Sequence, residues 1–244
     1  MVDLAELTQL LDSESEDAWR ENLFSLARRQ GFDQVLYGVV GSHQAKLETA
    51  FVQSNYSSSW RERYDADRLH YIDPTVTHCL NSSLPIVWEA ETFKGARQRA
   101  FYEEACAYGI RSGVTFPIHG PHGEFGVVSF ASDALPDKNE LGRQMPALAL
   151  IRDYAFESSL KFINTGSAGD EAEKPRLTRR ELEVLRWVMV GKSSWEISKI
   201  TSCSEATVNF HIANVRQKFG VSTRQQALVK AIRMGILTPE DPHR

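Results

Sequence analysis

The chain has 244 residues, is 42% hydrophobic and 25% charged, and carries a net charge of −4, which is ordinary for a soluble globular protein of one or two domains. Residues 1–6 include two acids and no apolar core, so no secretion signal is expected, and no segment approaches the roughly 20 apolar residues of a membrane span. The three widely spaced cysteines argue against a disulfide framework and favour reduced thiols in the cytoplasm: Cys79, Cys106 and Cys203.

The first two thirds of the chain have a mixed helical and extended pattern. An amphipathic helix is predicted over residues 17–30, ending at Gly31, and β-rich segments at 32–40 and 47–53 are expected to pair as a hairpin. The remaining elements are helices at 58–68 and 74–80, an extended piece at 85–88, a helix at 94–108 closed by Gly109, strands at 114–119 and 124–132 joined by a Gly-Pro-His-Gly turn, and a long helix at 137–163. This order predicts an α/β/α sandwich with an antiparallel sheet.

A composition change divides the chain. Residues 164–176 are mostly small, polar and turn-forming, which is typical of a linker, so the predicted domains are residues 1–163 and 177–244. Residues 177–244 carry 11 Lys or Arg and 6 Asp or Glu, whereas residues 1–176 carry 17 and 26. A basic module on an acidic body fits a phosphate-contacting surface, although the excess is modest and chance segregation is the alternative.

The second domain is predicted to be all-α, with four helices that each carry a start signal. Three pairs have the spacing of a capping box, in which two side chains satisfy free N–H groups: Thr178 and Glu181, Ser193 and Glu196, and Thr223 and Gln226. Ser204 can cap a further helix, which Gly220 can close in a left-handed conformation. The predicted helices span 178–190, 194–200, 204–219 and 223–234. The three residues between the second and third give a helix-turn-helix spacing, which indicates a DNA-binding domain.

The third of these helices has one apolar and one polar face. Val208, Ile212, Val215 and Phe219 recur at helical spacing and are expected to face the core. On the other face, Asn209 can read adenine, Ala213 can pack on a thymine methyl, and Thr207 lies near the start. The candidates for phosphate contacts are Lys192, Arg216, Lys218 and Arg224. For each basic residue a solvated helix face is the alternative.

A second set of polar side chains lies among aromatic residues of the first domain. Trp60 and Tyr64 are spaced for one helix face, and Asp73-Pro74-Thr75, Trp88 and Ser129 follow. Taken singly, each has a purely structural interpretation: ring packing, a helix N-cap, or a small residue in a strand. Together they provide an indole, a phenol, a carboxylate and hydroxyls in apolar surroundings, which is typical of a small-molecule pocket. A buried carboxylate needs a donor, and a ligand amide would provide one.

The whole chain resembles the LuxR-type quorum-sensing transcriptional regulators. The resemblance rests on residues 177–185, 191–198 and 204–215 in the second domain, and on Tyr56, Trp60-Arg61, Tyr64, Asp73–Val76, Trp88, Gly113 and Gly126–Phe130 in the first. It implies an N-acyl-homoserine lactone as ligand and no cofactor. It also implies a homodimer, formed through residues 137–163 and 223–234, which binds palindromic double-stranded DNA and activates transcription, with RNA polymerase as a further partner.

The resemblance also assigns roles to residues of the pocket. Trp60 would donate to the lactone carbonyl, Asp73 would accept from the amide N–H, and Arg61 would reach a 3-oxo group through water. The other head-group residues are Tyr56 and Ser129 as donors to the amide carbonyl, Thr75 in support, Tyr64 as a second phenol, Trp88 and Phe101 against the lactone ring, and Ala105 leaving it room. The acyl channel would be lined by Leu36, Gly38, Ala50, Val52, Val76, Cys79, Phe125 and Val127.

Three alternatives are distinguishable. A phosphorylation-controlled regulator would need receiver-type alternation and an acidic cluster at strand ends, and neither is evident in residues 1–160. A lactone hydrolase would need a metal cluster or an activated nucleophile, and the two histidines at 119 and 122 are better explained as a solvated turn. A regulator of the same family that responds to a different small molecule is the third alternative.

Overall fold

The structure is a computed structural model and describes residues 2–41, 45, 47–134, 138–166 and 175–237. The chain divides into two compact units, residues 1–168 and 169–244. The division falls inside the predicted linker, although residues 164–166 continue the last helix of the first unit. The exact linker bounds stay a prediction, since residues 167–174 lie outside the described part, as do residue 137 of the predicted long helix and residues 238–244.

The first unit is a five-stranded sheet with helices on both faces. In chain order its elements are α1 (Leu4–Leu11), α2 (Glu16–Arg29), β1 (Gln34–Val40), β2 (Phe51–Ser54), α3 (Ser58–Ala66), α4 (Pro74–Asn81), β3 (Ile86–Val87), α5 (Gly95–Ala107), β4 (Ser112–His119), β5 (Phe125–Ser132) and α6 (Lys138–Gly166). The strand order is β2-β1-β5-β4-β3, and every described pairing is antiparallel. The predicted α/β/α sandwich is therefore confirmed.

Alternate residues of each strand serve the two faces of the sheet. Val35, Tyr37 and Val39 of β1 belong to the large core beneath α1, α2 and α6. Leu36 and Gly38, which alternate with them, face the opposite side, where α3, α4 and α5 lie. This period of two places one row of β1 and β5 side chains in the core and the other row in a cavity.

Two buried serines of α6 anchor the core layer. Trp19 of α2 donates its indole N–H to Ser158 Oγ at 2.7 Å, and the Tyr37 hydroxyl lies 2.7 Å from Ser159 Oγ. All four side chains are buried, so these bonds satisfy groups that would otherwise be costly to bury. They fix α6 against both α2 and β1, and so hold the sheet from the side opposite to the cavity.

Two local expectations differ from the structure. Helix α1 was not predicted, although Asp3 caps it by accepting from the N–H of Ala5, and Leu7 and Leu10 are buried. The predicted strand 47–53 is shorter: residues Leu47–Thr49 form a 3-10 turn and the strand begins at Phe51. The remaining predicted elements are present, with ends that shift by up to two or three residues.

The second unit contains α7 (Arg179–Met189), α8 (Ser194–Ile200), α9 (Glu205–Phe219) and α10 (Arg224–Arg233). The three predicted capping boxes and the Ser204 N-cap are all formed, and Gly220 ends α9 with a φ of +61°. Val208, Val215 and Phe219 are buried and Ile212 is partly buried, as predicted. Among the described residues of the whole chain, no helix is long and apolar enough to cross a membrane.

Candidate ligand cavity and DNA-binding surface

A cavity of about 610 Å³ lies on the side of the sheet that faces α3 and α4. All the side chains predicted to contact a ligand line it, with the exception of Ala105 and Cys79. Ala105 is buried in the neighbouring aromatic cluster with Trp60 and Phe101, so it supports the wall from behind instead of forming it. Leu47 and Gly126 line it as well, and these further lining residues were not among the predicted ligand contacts: Val39, Val40, Asp65, Ala66, Arg68 and His70.

Asp73 is the buried carboxylate at the polar end of the cavity. It caps α4: Oδ1 accepts from the backbone N–H of Thr75 at 2.8 Å and from its hydroxyl at 2.7 Å, and Oδ2 accepts from the Tyr64 hydroxyl at 3.0 Å. Burial raises the pKa of Asp73, although the bonds from Thr75 and Tyr64 act in the opposite direction. Because a carboxylate oxygen has two lone pairs, Oδ2 can still accept from a ligand donor.

A chain of three side chains crosses the floor of the polar end. The Trp88 indole donates to Thr115 Oγ1 at 2.9 Å, and that hydroxyl lies 2.9 Å from Ser129 Oγ. Thr115 and Ser129 are cross-strand partners in the register of β4 and β5. Gly113 makes the arrangement possible, since a Cβ there would lie 3.0 Å from the Trp88 ring and 2.5 Å from the Phe130 carbonyl oxygen. Thr115 was missing from the predicted set.

Tyr56 and Trp60 offer donors at the same end. The Tyr56 hydroxyl is buried and has no hydrogen-bond partner among the described residues. Burial raises the pKa of Tyr56, which keeps the phenol protonated and able to donate. The Trp60 ring is buried in an aromatic cluster with Tyr64 and Phe101 and also lines the cavity. A buried hydroxyl without a partner is costly, so a ligand acceptor at Tyr56 would remove that cost.

Arg61 also lines the cavity, but its charge is already engaged. Its guanidinium lies 3.1 Å from the Asp65 carboxylate and 5.7 Å from the centre of the Tyr64 ring. Asp65 therefore holds Arg61 at the wall and balances its charge. A water-mediated contact to a ligand oxygen remains compatible with this position.

The other end of the cavity is apolar. Leu36, Gly38, Ala50, Val52 and Val127 line it together with Phe125 and Val76. Cys79 is buried behind the wall against Phe125, and burial raises the pKa of its thiol to about 12. The cavity as a whole is therefore an apolar channel that ends in a compact group of donors and acceptors.

In the second unit, α8 and α9 present the exposed surface expected of a helix-turn-helix. Thr207, Asn209, Ala213 and Arg216 of α9 are all exposed. Asn209 Oδ1 accepts from the Ser194 hydroxyl at 2.7 Å, which ties the start of α8 to α9 and fixes the rotamer of Asn209. Arg224, the first residue of α10, is half-buried.

The geometry does not favour Lys218 as a phosphate contact. Its ammonium lies 2.6 Å from Glu181 Oε2 and donates to the Arg176 carbonyl at 3.0 Å, and Glu181 is only 3% exposed. Lys218 therefore neutralises a buried carboxylate inside its own unit. Lys192 is also paired, at 3.2 Å from Glu196, but this pair is on the surface and can open at little cost.

The two units match two known families. Residues 15–159 match the autoinducer binding domain, and residues 175–231 match the bacterial regulatory proteins of the luxR family. The transcriptional activator protein VanR of Vibrio anguillarum is 34% identical over 92% of this chain and 93% of its own. The transcriptional activator protein LuxR of Aliivibrio fischeri is 33% identical over 83% and 81%.

Solved structures agree with this assignment. The crystal structure of Escherichia coli SdiA superposes with a TM-score of 0.71 and 26% identity, covering 96% of this chain and 97% of that one. SdiA in complex with octanoyl-rac-glycerol gives a TM-score of 0.70 at 25% identity, covering 99% and 100%. The named relatives are transcriptional activators and not enzymes. This chain therefore belongs to the LuxR family of autoinducer-binding transcriptional regulators.

Proposed function

We propose that this protein is a quorum-sensing activator whose ligand is an N-acyl-homoserine lactone. The observation that carries the proposal is the pairing of an apolar channel with a polar end at which a buried carboxylate, a buried unpaired phenol and an indole converge. An acyl amide with a lactone ring has one N–H, two carbonyl groups and a long apolar chain. This combination complements the cavity more fully than a purely apolar ligand would.

In the proposed complex, each polar group has one task. Asp73 accepts from the amide N–H, Tyr56 and Ser129 donate to the amide carbonyl, and Trp60 donates to the lactone carbonyl. Trp88, already bonded to Thr115, packs against the lactone ring together with Phe101. The protein therefore fixes the head group by hydrogen bonds and the chain by apolar burial.

By analogy with the family alone, we further propose a 3-oxo chain of medium to long length, on the order of ten to twelve carbons, as the occupant of the cavity of about 610 Å³. Arg61 lines the cavity wall, and in this proposal a water joins its guanidinium to the 3-oxo oxygen. Tyr56, Trp60, Asp73 and Trp88 also resemble the corresponding pattern in LasR, a member of this family, and that resemblance supports the homoserine lactone head group.

The proposed active form is a homodimer bound to palindromic DNA in the cytoplasm, where it assists RNA polymerase. Exposed apolar side chains on α6 and α10, Leu150 and Val229, support these helices as dimer contacts. Two recognition helices related by a two-fold axis would enter half-sites one turn apart, roughly 34 Å. Lys192, Arg216 and Arg224 are the proposed phosphate contacts, while Thr207, Asn209 and Ala213 face the bases.

The test is the melting temperature of the full chain with and without a panel of N-acyl-homoserine lactones that vary in length and 3-position oxidation. A ligand at 100 times its Kd stabilises the folded state by about 2.7 kcal/mol, or roughly 5–10 °C for a domain of this size. Asp73→Ala should abolish the shift, whereas Glu62→Gln, on the exposed side of α3, should retain it. A panel without any stabilising member would contradict the proposal.

A second candidate ligand is a monoacylglycerol, because SdiA has been solved with octanoyl-rac-glycerol. Its ester has no N–H, so only a glycerol hydroxyl would be able to donate to Asp73. Replacing the amide of the best lactone by an ester distinguishes the two. If binding requires the amide, the lactone proposal holds; if 1-octanoylglycerol binds more tightly than every lactone, the second candidate replaces it.

A further inference from the structure

Phe210 is an aromatic residue on the solvent face of the recognition helix. It lies in the second turn of α9 and is 62% exposed, whereas Val208, Val215 and Phe219 of the same helix are buried. A single exposed apolar residue is common on protein surfaces and needs no special explanation. What distinguishes Phe210 is its place: it stands between Asn209 and Ala213 in the half of the helix that approaches base edges.

The neighbours of Phe210 on the helix leave its ring uncovered. Residues three or four positions away share its face: Ala206, Thr207 and Ala213 are small and exposed, and Asn214 is partly buried. Thr207 is turned towards the cap, with its hydroxyl 2.8 Å from Ser204 Oγ. Among the described residues, the Phe210 ring makes an edge-to-face contact with the His211 ring, with 5.8 Å between the two ring centroids. The phenyl group therefore projects from a row of small side chains.

The helix that carries Phe210 is held in place on its neighbour. Ser194 at the start of α8 donates to Asn209, the residue before Phe210, at 2.7 Å. Val208, on the opposite face of α9, is fully buried in the core between α7, α8 and α9. These contacts hold the backbone of α9 at Phe210 before DNA arrives, so little ordering of the helix is needed on binding.

We propose that Phe210 packs against the C5-methyl group of a thymine in the major groove and so specifies thymine at one position of each half-site. Among the four bases, only thymine presents a methyl group there, and phenylalanine is one of the side chains that contact it. The phenyl ring has no hydrogen-bonding group, so it would leave the N4 amino group of a cytosine at the same position without a partner. The inference rests on DNA binding by the second unit and is independent of which small molecule fills the cavity.

The test begins with selection of operators from a random double-stranded DNA library. The full chain is used, prepared with the lactone that most raises its soluble yield, or without one if none does. Each thymine of the selected operator is then replaced by uracil, which removes only the methyl group. Burial of one methyl-sized group corresponds to about a fourfold change in affinity. We expect one symmetric pair of thymines at which uracil weakens wild-type binding about fourfold per half-site, and no such penalty for Phe210→Ala.

Two variants serve as controls. Trp195→Ala removes another exposed aromatic side chain, from α8, and should leave the uracil penalty unchanged. Phe210→Leu keeps an apolar contact and should retain part of it. Because Phe210 is exposed, its variants should have the same melting temperature as the wild type. An equal uracil penalty in wild type and Phe210→Ala would overturn the proposal and assign the methyl contact to Ala213. A library without any enriched sequence, or an operator without any methyl-sensitive thymine, would overturn it as well.

Discussion

The Tyr64 hydroxyl donates to Asp73 Oδ2 at 3.0 Å, and this bond joins α3 to the start of α4 across the polar end of the cavity. Asp73 is therefore both the N-cap of α4 and the acceptor proposed for the ligand amide. Hydrogen bonds alone stabilise the buried Asp73 carboxylate, since none of its described partners is a cation. The apo protein should accordingly be sensitive to the ionisation of this one group.

Without ligand, stability should depend on pH through Asp73. Burial raises the pKa of Asp73 above its ordinary value of 3.8, so its protonated form favours the folded state. This contribution is complete below pH 3.8 and is lost as the pH rises through the raised pKa. The melting temperature of Asp73→Asn, measured relative to that of the wild type, should therefore increase as the pH rises from 4 to 7. Glu62→Gln is the control, and a difference that is constant with pH would contradict the prediction.

Replacing Tyr56 by phenylalanine should affect the free and bound protein in opposite directions. The variant loses a buried hydroxyl that has no partner among the described residues, so the free protein should be unchanged or stabilised by up to about 1–2 kcal/mol. The bound protein loses a donor to the amide carbonyl, so the lactone should bind about tenfold more weakly. Denaturant unfolding and a ligand titration measure the two effects. A variant that is destabilised without ligand would indicate that the hydroxyl is structural.

Much of this architecture was predictable because its signals are local. The capping boxes at Thr178 and Ser193 involve residues three apart, and alternation along β1 places Leu36 and Gly38 on the face opposite to Val35. Helix α1 was not predicted although it carries a similar signal, the Asp3 cap followed by spaced leucines, since it is only eight residues long and depends on burial of Leu7 and Leu10 in the core.

The surroundings of Thr115, Lys218 and Ala105 depend on contacts between distant parts of the chain. Thr115 lies in a strand that is buried on both faces, so burial does not alternate along this strand. Only the pairing register of β4 and β5 shows that Thr115 lies beside Ser129. Lys218 lies 37 residues from Glu181, and nothing near it in the sequence indicates a buried acid. The resemblance places Ala105 beside the lactone ring, but in the structure it is buried in the aromatic cluster behind Trp60 and Phe101.

Gly38 should set how far an acyl chain can extend. A Cβ at this position would lie 3.8 Å from Val52 Cγ2, so alanine fits without strain but projects into the channel. Gly38→Ala should weaken the longest lactone that binds the wild type by about fourfold or more, the value of one methylene, and spare a lactone two carbons shorter. A dose–response series over chain length measures this. Equal loss for all lengths would show that Gly38 supports the fold and does not limit the channel.

The roles of Lys218 and Arg216 should separate in two measurements. Glu181 is buried, which alone would raise its pKa, but bonds from Lys218 and Thr178 outweigh burial and lower it. The resulting stability is present above the ordinary pKa of 4.5 and is lost as the pH falls through the lowered value. Lys218→Met should therefore destabilise the protein by about 1–3 kcal/mol at pH 7, and by less at pH 3.

The same variant should leave the salt dependence of DNA binding unchanged, because its ammonium is already bonded to Glu181 and to the Arg176 carbonyl. Arg216→Met removes an exposed cation from α9, so it should keep wild-type stability and reduce the slope of log K against log salt concentration by about one unit per half-site. Fluorescence anisotropy at four salt concentrations gives both slopes. A reduced slope for Lys218→Met would show that Lys218 contacts a DNA phosphate. An ammonium that stays bonded to a buried carboxylate displaces no counterion from DNA and so would not change the slope.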